Sequence, residues 1–77
     1  MRVRYTPAAR ADLKAIRAYV ARDSAVYADR LVQEIRAAAS QLKSFPELGS
    51  VVEDWGRPDL RELIVGNYRI IYQLTPR

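Results

Sequence analysis

Apolar residues recur at helical spacing in the first part of the chain. Thr6 followed by Pro7 is a typical helix start, because threonine caps a helix well and proline loses no needed N–H at the first helical position. From there one face of the predicted helix is apolar and another is basic. The apolar face consists of Ala9, Leu13, Ile16 and Val20, and the basic stripe of Arg10, Lys14 and Arg17.

The helical pattern breaks at residues 22–24 and then resumes. Asp23 or Ser24 can cap a second helix. Because only about three residues separate the two helices, we expect an antiparallel αα-hairpin whose apolar faces need a cover. The apolar face of the second helix consists of Tyr27, Leu31, Ile35, Ala38 and Leu42, widened by Ala28, Val32 and Ala39.

The rest of the chain has the two-residue period of β-strands. Residues 44–49 and 54–59 are rich in turn formers, and short strands are predicted at residues 3–5 and 51–52. Residues 60–65 and 68–75 flank Gly66-Asn67, which predicts a hairpin with a type I′ or II′ turn. On the last strand one face carries Tyr68, Ile70, Tyr72 and Leu74, and the other carries Arg69, Ile71, Gln73 and Thr75.

The predicted order of elements is β-α-α-β-β-β within one domain spanning residues 1–77. Helices that come together, followed by strands that come together, predict an α+β fold. We expect an N-terminal strand and an antiparallel αα-hairpin, with the hairpin packed on one face of a small, mainly antiparallel sheet. The other face of the sheet would then meet solvent or a partner.

The composition excludes several kinds of site and gives the chain a net positive charge. The chain has no cysteine and no histidine, which excludes disulfides, Cys/His zinc sites and the usual histidine-dependent catalytic pairs. Its net charge of +4 has two interpretations, an ordinary solvated surface or an acidic or nucleic-acid partner. No apolar run has the length of a membrane span, and the start lacks the apolar stretch of a signal peptide. We expect a cytoplasmic protein with no metal and no other cofactor.

Basic and aromatic residues on the predicted hairpin form a candidate binding site. Arg61 and Arg69 lie on its two strands, and Tyr68, Tyr72 and Trp55 are near them in sequence. Such a set on a sheet can stack bases and hold phosphates. The alternative is structural: the two tyrosines share the apolar face of the last strand and would belong to the core. Arg61 would then pair with a nearby carboxylate, and the basic stripe on the first helix would be a solvated face.

Three motifs occur in order along essentially the whole chain. Residues 9–19 carry the pattern A-x-x-D-L-x-x-I-x-x-Y, and Leu42, Pro46 and Gly49 form an L-x-x-x-P-x-x-G link. Residues 60–74 read LRELIVGNYRIIYQL. Together these motifs resemble the RelE/ParE superfamily of toxins from type II toxin-antitoxin systems, and the long helical hairpin is more similar to the ParE branch.

The ParE resemblance implies a non-enzymatic inhibitor of DNA gyrase that a cognate antitoxin neutralises, with a role in plasmid or chromosome stabilisation. Operator DNA would be reached only through the antitoxin, and the assembly would be a homodimer or a hetero-oligomer with the antitoxin. An acidic or amphipathic part of the antitoxin would lie on the basic surface. The expected partner-binding residues are Arg10, Lys14, Arg17, Trp55, Arg61, Arg69 and Tyr72.

Two other functions stay open. A RelE-like toxin would cleave mRNA in the ribosome, with Arg69 and Arg61 holding phosphate and stabilising developing charge. An inactive, shortened toxin would only bind the antitoxin. The resemblance also implies that the family's last strand is missing after Arg77. We therefore expect the strand at residues 68–75 to have an open edge, covered by an antitoxin segment or a second copy.

Overall fold

The computed structural model describes residues 3–75 of the chain. Two helices come first and a three-stranded sheet follows, which confirms the predicted α+β class. The helices are α1 (Pro7–Ala21) and α2 (Ala25–Ser40), and the strands are β1 (Ser50–Val51), β2 (Leu60–Val65) and β3 (Tyr68–Gln73). Short 3₁₀ helices occupy Gln41–Lys43 and Glu53–Trp55.

Both long helices begin with the caps that the sequence offers. The Thr6 hydroxyl accepts a hydrogen bond from the backbone N–H of Ala9 at 3.0 Å, and Pro7 takes the first helical position. The Ser24 hydroxyl accepts one from the N–H of Tyr27 at 3.1 Å, so Ser24 rather than Asp23 caps α2. Each bond satisfies an N–H that has no partner inside its helix, which fixes where the helix starts.

The sheet has the order β1-β2-β3, and both strand pairs are antiparallel. Val65 pairs with Tyr68, which leaves a two-residue turn between β2 and β3. Gly66 has a φ of 59°, the left-handed conformation that the first central residue of a type I′ or II′ turn needs. The predicted hairpin is therefore confirmed, although β3 ends at Gln73 instead of residue 75 and β1 lies one residue earlier than expected.

The expected N-terminal strand is the part of the prediction that the structure corrects. Residues 3–6 form no strand with any other described residue, and α1 follows them directly. A β-prone sequence becomes a strand only beside a partner that shares hydrogen bonds with it. Here residues 3–6 lie across a groove from β3 instead of beside it.

The buried residues of the helical hairpin belong to α2. One stripe of this helix, made of Ala28, Leu31, Ile35 and Ala39, is buried, because α2 packs against α1 and also against β2. Tyr27 was predicted to join that stripe but is 54% exposed. It lies at the margin of the stripe on the helical wheel, so the helix turns it outward. Leu42 and Val52 are buried beyond the end of α2.

Candidate partner-binding site

A basic groove of about 540 Å³ runs between α1 and α2. Three of its basic residues lie on α1 at positions i, i+4 and i+7, so they face the same side of that helix. The structure thus brings together the whole basic stripe predicted from the sequence. The groove is lined by Tyr5, Arg10, Leu13, Lys14, Arg17, Val32 and Arg36.

Two of these cations have neighbours that fix their positions. Arg17 donates from Nε to an Asp29 carboxylate oxygen at 2.9 Å, and its Nη2 lies 2.8 Å from the same oxygen. The Arg36 guanidinium lies 5.9 Å from the centroid of the Tyr5 ring, which is cation–π distance. Arg10 and Lys14 form no ion pair within residues 3–75. The groove therefore presents at least two cations that are available to an anionic partner.

Arg36 is a groove residue that the sequence reasoning missed. The sequence spacing indicates its position, because Arg36 follows Val32 by one helical turn and therefore lies on the same face of α2. Both residues line the groove with α1. Helical spacing groups only those basic residues that lie on the same helix. The hairpin brings a cation from the second helix to the stripe on the first.

Arg61 lies on the helix side of the sheet and ties down a loop. Its Nη1 donates to the backbone carbonyls of Glu47 at 3.2 Å and Gly49 at 3.0 Å. The loop at residues 44–49 therefore closes over the guanidinium. This arrangement gives Arg61 a structural role, and no carboxylate forms an ion pair with it in the part of the chain described.

Tyr72 fastens the same loop from β3. Its hydroxyl donates to the carbonyl of Pro46 at 2.8 Å and accepts from the N–H of Gly49 at 2.9 Å. A Cβ at Gly49 would lie 2.6 Å from the carbonyl oxygen of Glu62 and 2.8 Å from the Tyr72 ring, so only glycine allows this close packing. Tyr72 is half-buried in this contact.

Arg69 lies on the opposite face of the sheet. Its Nη1 is 3.2 Å from a carboxylate oxygen of Glu62, and its side chain is 53% exposed. Arg61 pairs with Tyr72 in the strand register and Arg69 pairs with Ile64. Because successive residues of a strand point to opposite faces, the guanidinium groups of Arg61 and Arg69 are separated by the sheet. The structure does not bring these two arginines together.

Trp55 is half-exposed at the end of a 3₁₀ helix and lines neither of the two grooves. The nearby Asp59 carboxylate accepts two hydrogen bonds from Arg57, at 3.2 and 2.8 Å, and one from Gln73 at 2.8 Å. The Arg57 bonds, and after them the Gln73 bond, lower the pKa of Asp59. This cluster joins the loop before β2 to the end of β3.

A second groove, mostly apolar and about 610 Å³ in volume, separates α1 from β3, and we call it the β3 groove. Residues 3–6 and α1 form one wall and β3 forms the other, while α2 lies between them. The apolar stripe of α1 faces this space instead of a packed core, and α1 has no fully buried residue. Its apolar lining includes Leu13, Ile16, Ile35, Ala39, Leu42, Tyr68, Ile70 and Leu74.

Two further observations bear on the kinds of site present. Within residues 3–75 there is no group of three or more acidic side chains placed to hold a metal ion. Neither α1 nor α2 combines the length and the apolar character required to cross a bilayer.

Fold and grooves together define a small α+β domain with one basic groove and one mostly apolar groove. Comparison with known families gives the class: residues 3–77 match the family model of the ParE toxin of type II toxin-antitoxin systems, parDE. The chain therefore belongs to the ParE toxin family within the RelE/ParE superfamily, and a cognate antitoxin is its family partner. A search of curated proteins found no match.

Proposed function

We propose that this toxin inhibits DNA gyrase without catalysing a reaction of its own, and that its antitoxin neutralises it. The match to ParE toxins over residues 3–77 is the observation that carries this proposal. Such a toxin acts in the cytoplasm and contributes to plasmid or chromosome stabilisation. Operator DNA is then contacted through the antitoxin.

The positions of two arginines support a gyrase inhibitor over an mRNA-cleaving toxin. The nuclease alternative needs Arg61 and Arg69 to act on one phosphate, yet they lie on opposite faces of the hairpin. Arg61 is also held by two backbone carbonyls, and Arg69 by Glu62. Electrostatic catalysis depends on donors aimed at one developing charge. In this geometry the guanidinium groups of Arg61 and Arg69 are not aimed at one phosphate.

The basic groove supports neutralisation by an acidic partner segment. Arg10 and Lys14 lie next to each other on α1 without intramolecular ion pairs in the described part of the chain. Arg17 already shows how a carboxylate is received there, since Asp29 occupies its Nε. An antitoxin with carboxylates at helical or extended spacing would meet complementary charge, which speeds encounter and fixes register.

A supercoiling assay with purified gyrase tests the target. Inhibition that is reversed by the product of a neighbouring antitoxin gene is the expected result. A folded protein that leaves supercoiling unchanged at molar excess over gyrase would overturn the proposal. Ribosome-dependent mRNA cleavage that is lost in Arg69→Ala would instead establish the nuclease function. Antitoxin binding with neither activity would establish a binding-only toxin.

Charge reversal tests the antitoxin surface. The double variant Arg10→Glu/Lys14→Glu is expected to weaken antitoxin binding about tenfold or more, because two favourable contacts become repulsive. The double variant Arg30→Glu/Lys43→Glu changes the net charge by the same amount and is the matched control, since both residues are exposed and line neither groove. Equal weakening in the control would show that net charge alone, and not the basic groove, attracts the antitoxin.

A further inference from the structure

We propose that this toxin contacts gyrase through an acidic and aromatic surface within residues 45–55, whose members line neither groove. The inference rests on gyrase being the target, and it adds which surface of the toxin meets that enzyme. The surface that it meets would be basic, with apolar side chains between its cations. We call the toxin surface the Trp55 patch; it consists of the apolar residues Phe45, Leu48 and Trp55 and the acidic residues Glu47, Glu53 and Asp54.

Large apolar side chains are exposed unusually densely in this segment. Phe45 is 63% exposed, Leu48 49% and Trp55 50%, and Val51 between them is 37% exposed. Among residues 3–75, these are four of the nine large apolar side chains that remain exposed. An exposed apolar surface rimmed by polar residues is typical of a protein–protein contact, and tryptophan is enriched among the residues that dominate binding.

Two turns keep the apolar members of the Trp55 patch close together. The N–H of Leu48 donates to the carbonyl of Phe45 at 3.1 Å, and the N–H of Trp55 donates to that of Val52 at 3.3 Å. The ends of each turn lie within about 7 Å of each other. The four residues from Leu48 to Val52 span at most about 14 Å. One partner can cover the whole patch, because a standard interface takes roughly 800 Å² from each protein, an area about 30 Å across.

The backbone beneath the patch is fixed before any partner arrives. Arg61 and Tyr72 together make four hydrogen bonds to the loop at residues 46–49. The large apolar side chains of Phe45 and Leu48 nevertheless stay exposed. A surface that is already ordered loses little conformational freedom on binding, which leaves more of the interaction energy for affinity.

The charge of the patch is opposite to that of the whole chain. Residues 44–55 contain three carboxylates and no arginine or lysine, whereas the chain has a net charge of +4. Glu47, Glu53 and Asp54 are all exposed, and none of them forms an ion pair within residues 3–75. A basic partner would supply the complementary charge.

Gyrase has the charge that this patch needs. An enzyme that binds DNA presents arginine and lysine to the phosphate backbone, so it carries basic surface. Free DNA or RNA would be repelled by the carboxylates of the patch. The acidic antitoxin segment that the basic groove attracts would be repelled as well. The antitoxin and the target would therefore meet surfaces of opposite charge on this toxin.

A second copy of the chain fits the patch less well than a basic target. Two patches would repel each other across a symmetric contact, because both are acidic. The patch of one copy would have to meet a different surface of the next, such as its basic groove. Head-to-tail contacts of this kind either close into rings or grow into filaments.

Charge reversal with a matched control tests the patch in the supercoiling assay. Glu53→Lys/Asp54→Lys should raise the toxin concentration that halves supercoiling about tenfold or more, because two favourable contacts become repulsive. Asp23→Lys/Glu34→Lys changes the net charge by the same amount and should have little effect. Both of these control residues are exposed, line neither groove and form no ion pair in the described part of the chain.

Truncation of aromatic side chains tests the apolar part of the patch. Phe45→Ala/Trp55→Ala should also weaken inhibition about tenfold or more, since buried aromatic residues dominate most interfaces. Tyr19→Ala/Tyr27→Ala is the control, because both tyrosines are exposed and line neither groove. An unchanged circular dichroism spectrum and thermal midpoint establish that each variant is folded.

The outcomes separate this inference from the proposed target. Loss of inhibition in both patch variants but in neither control would support the Trp55 patch as the gyrase contact. Patch variants that inhibit as strongly as the parent protein, or controls that weaken equally, would overturn the inference and leave gyrase as the target. A parent protein that neither binds nor inhibits gyrase would overturn the target and this inference with it. Concentration-dependent assembly that is lost in Glu53→Lys/Asp54→Lys would assign the patch to a second copy instead.

Discussion

The two helices of the hairpin have similar lengths and similar patterns of apolar and polar residues, but different surroundings. Both begin with a hydroxyl cap, both carry an apolar stripe, and their lengths are 15 and 16 residues. Yet α2 has four buried residues and α1 has none. α2 lies between α1 and the sheet, whereas α1 packs on α2 and otherwise faces the β3 groove.

This difference divides the molecule into a closed side and an open side. The closed side comprises α2, residues 41–52 and β2, and it holds the buried residues and the loop-fastening hydrogen bonds. The open side comprises α1, residues 3–6 and the outer edge of β3. Stability should therefore depend mostly on the closed side, and antitoxin binding mostly on the open side. The following changes test that division.

The largest effect is expected from matched truncations of the two helices. Ile35→Ala removes a side chain that is 6% exposed, and should lower the free energy of unfolding by about 2–5 kcal/mol. Ile16→Ala removes the same atoms from a half-buried site facing the groove, and should cost about 1 kcal/mol. Urea denaturation of both variants measures the difference. Equal losses would show that α1 supports the core as much as α2 does.

A methyl group at Gly49 tests how tightly the closed side is packed. Gly49→Ala would place Cβ 2.6 Å from a backbone carbonyl oxygen that cannot rotate away, so the loop or β2 must shift. We expect a loss of about 1–3 kcal/mol in urea denaturation. Ser50→Ala, at the exposed position next to it, serves as the control and should be close to neutral. A Gly49→Ala variant with an unchanged free energy of unfolding would show that this loop can shift at little cost.

A single hydroxyl tests the hydrogen bonds of the closed side. Tyr72→Phe removes the partner of the Gly49 N–H and the Pro46 carbonyl, both part-buried, and should cost about 1–2 kcal/mol. Tyr68→Phe is the control, because the Tyr68 hydroxyl makes no hydrogen bond to any described residue. Thermal unfolding of the two variants compares them directly. If Tyr72→Phe loses no more stability than Tyr68→Phe, the Tyr72 hydroxyl does not hold the loop in place.

The elements could be predicted because their signals are local. The Thr6 and Ser24 caps and the turn at Gly66-Asn67 each act over a few residues, and the structure confirms all three. The strand predicted at residues 3–5 is wrong because a strand needs a neighbour, and the sequence does not show where β3 lies. The exposure of Tyr27 depends in the same way on how α2 is rotated against the sheet.

The candidate site was predicted less completely than the fold. The stripe of Arg10, Lys14 and Arg17 follows from helical spacing on one element, and the basic groove contains it. Arg36 joins it only through the packing of two helices. Arginine is a residue type common at binding sites, but Arg61 donates to two loop carbonyls. These carbonyls belong to residues 14 and 12 positions away in the sequence, so no local pattern reveals the contacts.

The smallest effect concerns the end of β3, where Asp59 connects the open strand to the closed side. Hydrogen bonds from Arg57 and then from Gln73 lower the pKa of Asp59 below its ordinary value of about 4. A carboxyl whose pKa is lower in the folded state stabilises the fold above its unfolded pKa, and that contribution is lost as the pH falls through the folded pKa. Asp59→Asn should therefore lower the urea midpoint slightly at pH 7. The difference from the parent protein should disappear in the acid range below the lowered pKa. Asp54→Asn, at an exposed carboxylate with no ion pair in the described chain, is the control. A difference that persists unchanged into the acid range would show that Asp59 acts through its neutral hydrogen bonds and not through its charge.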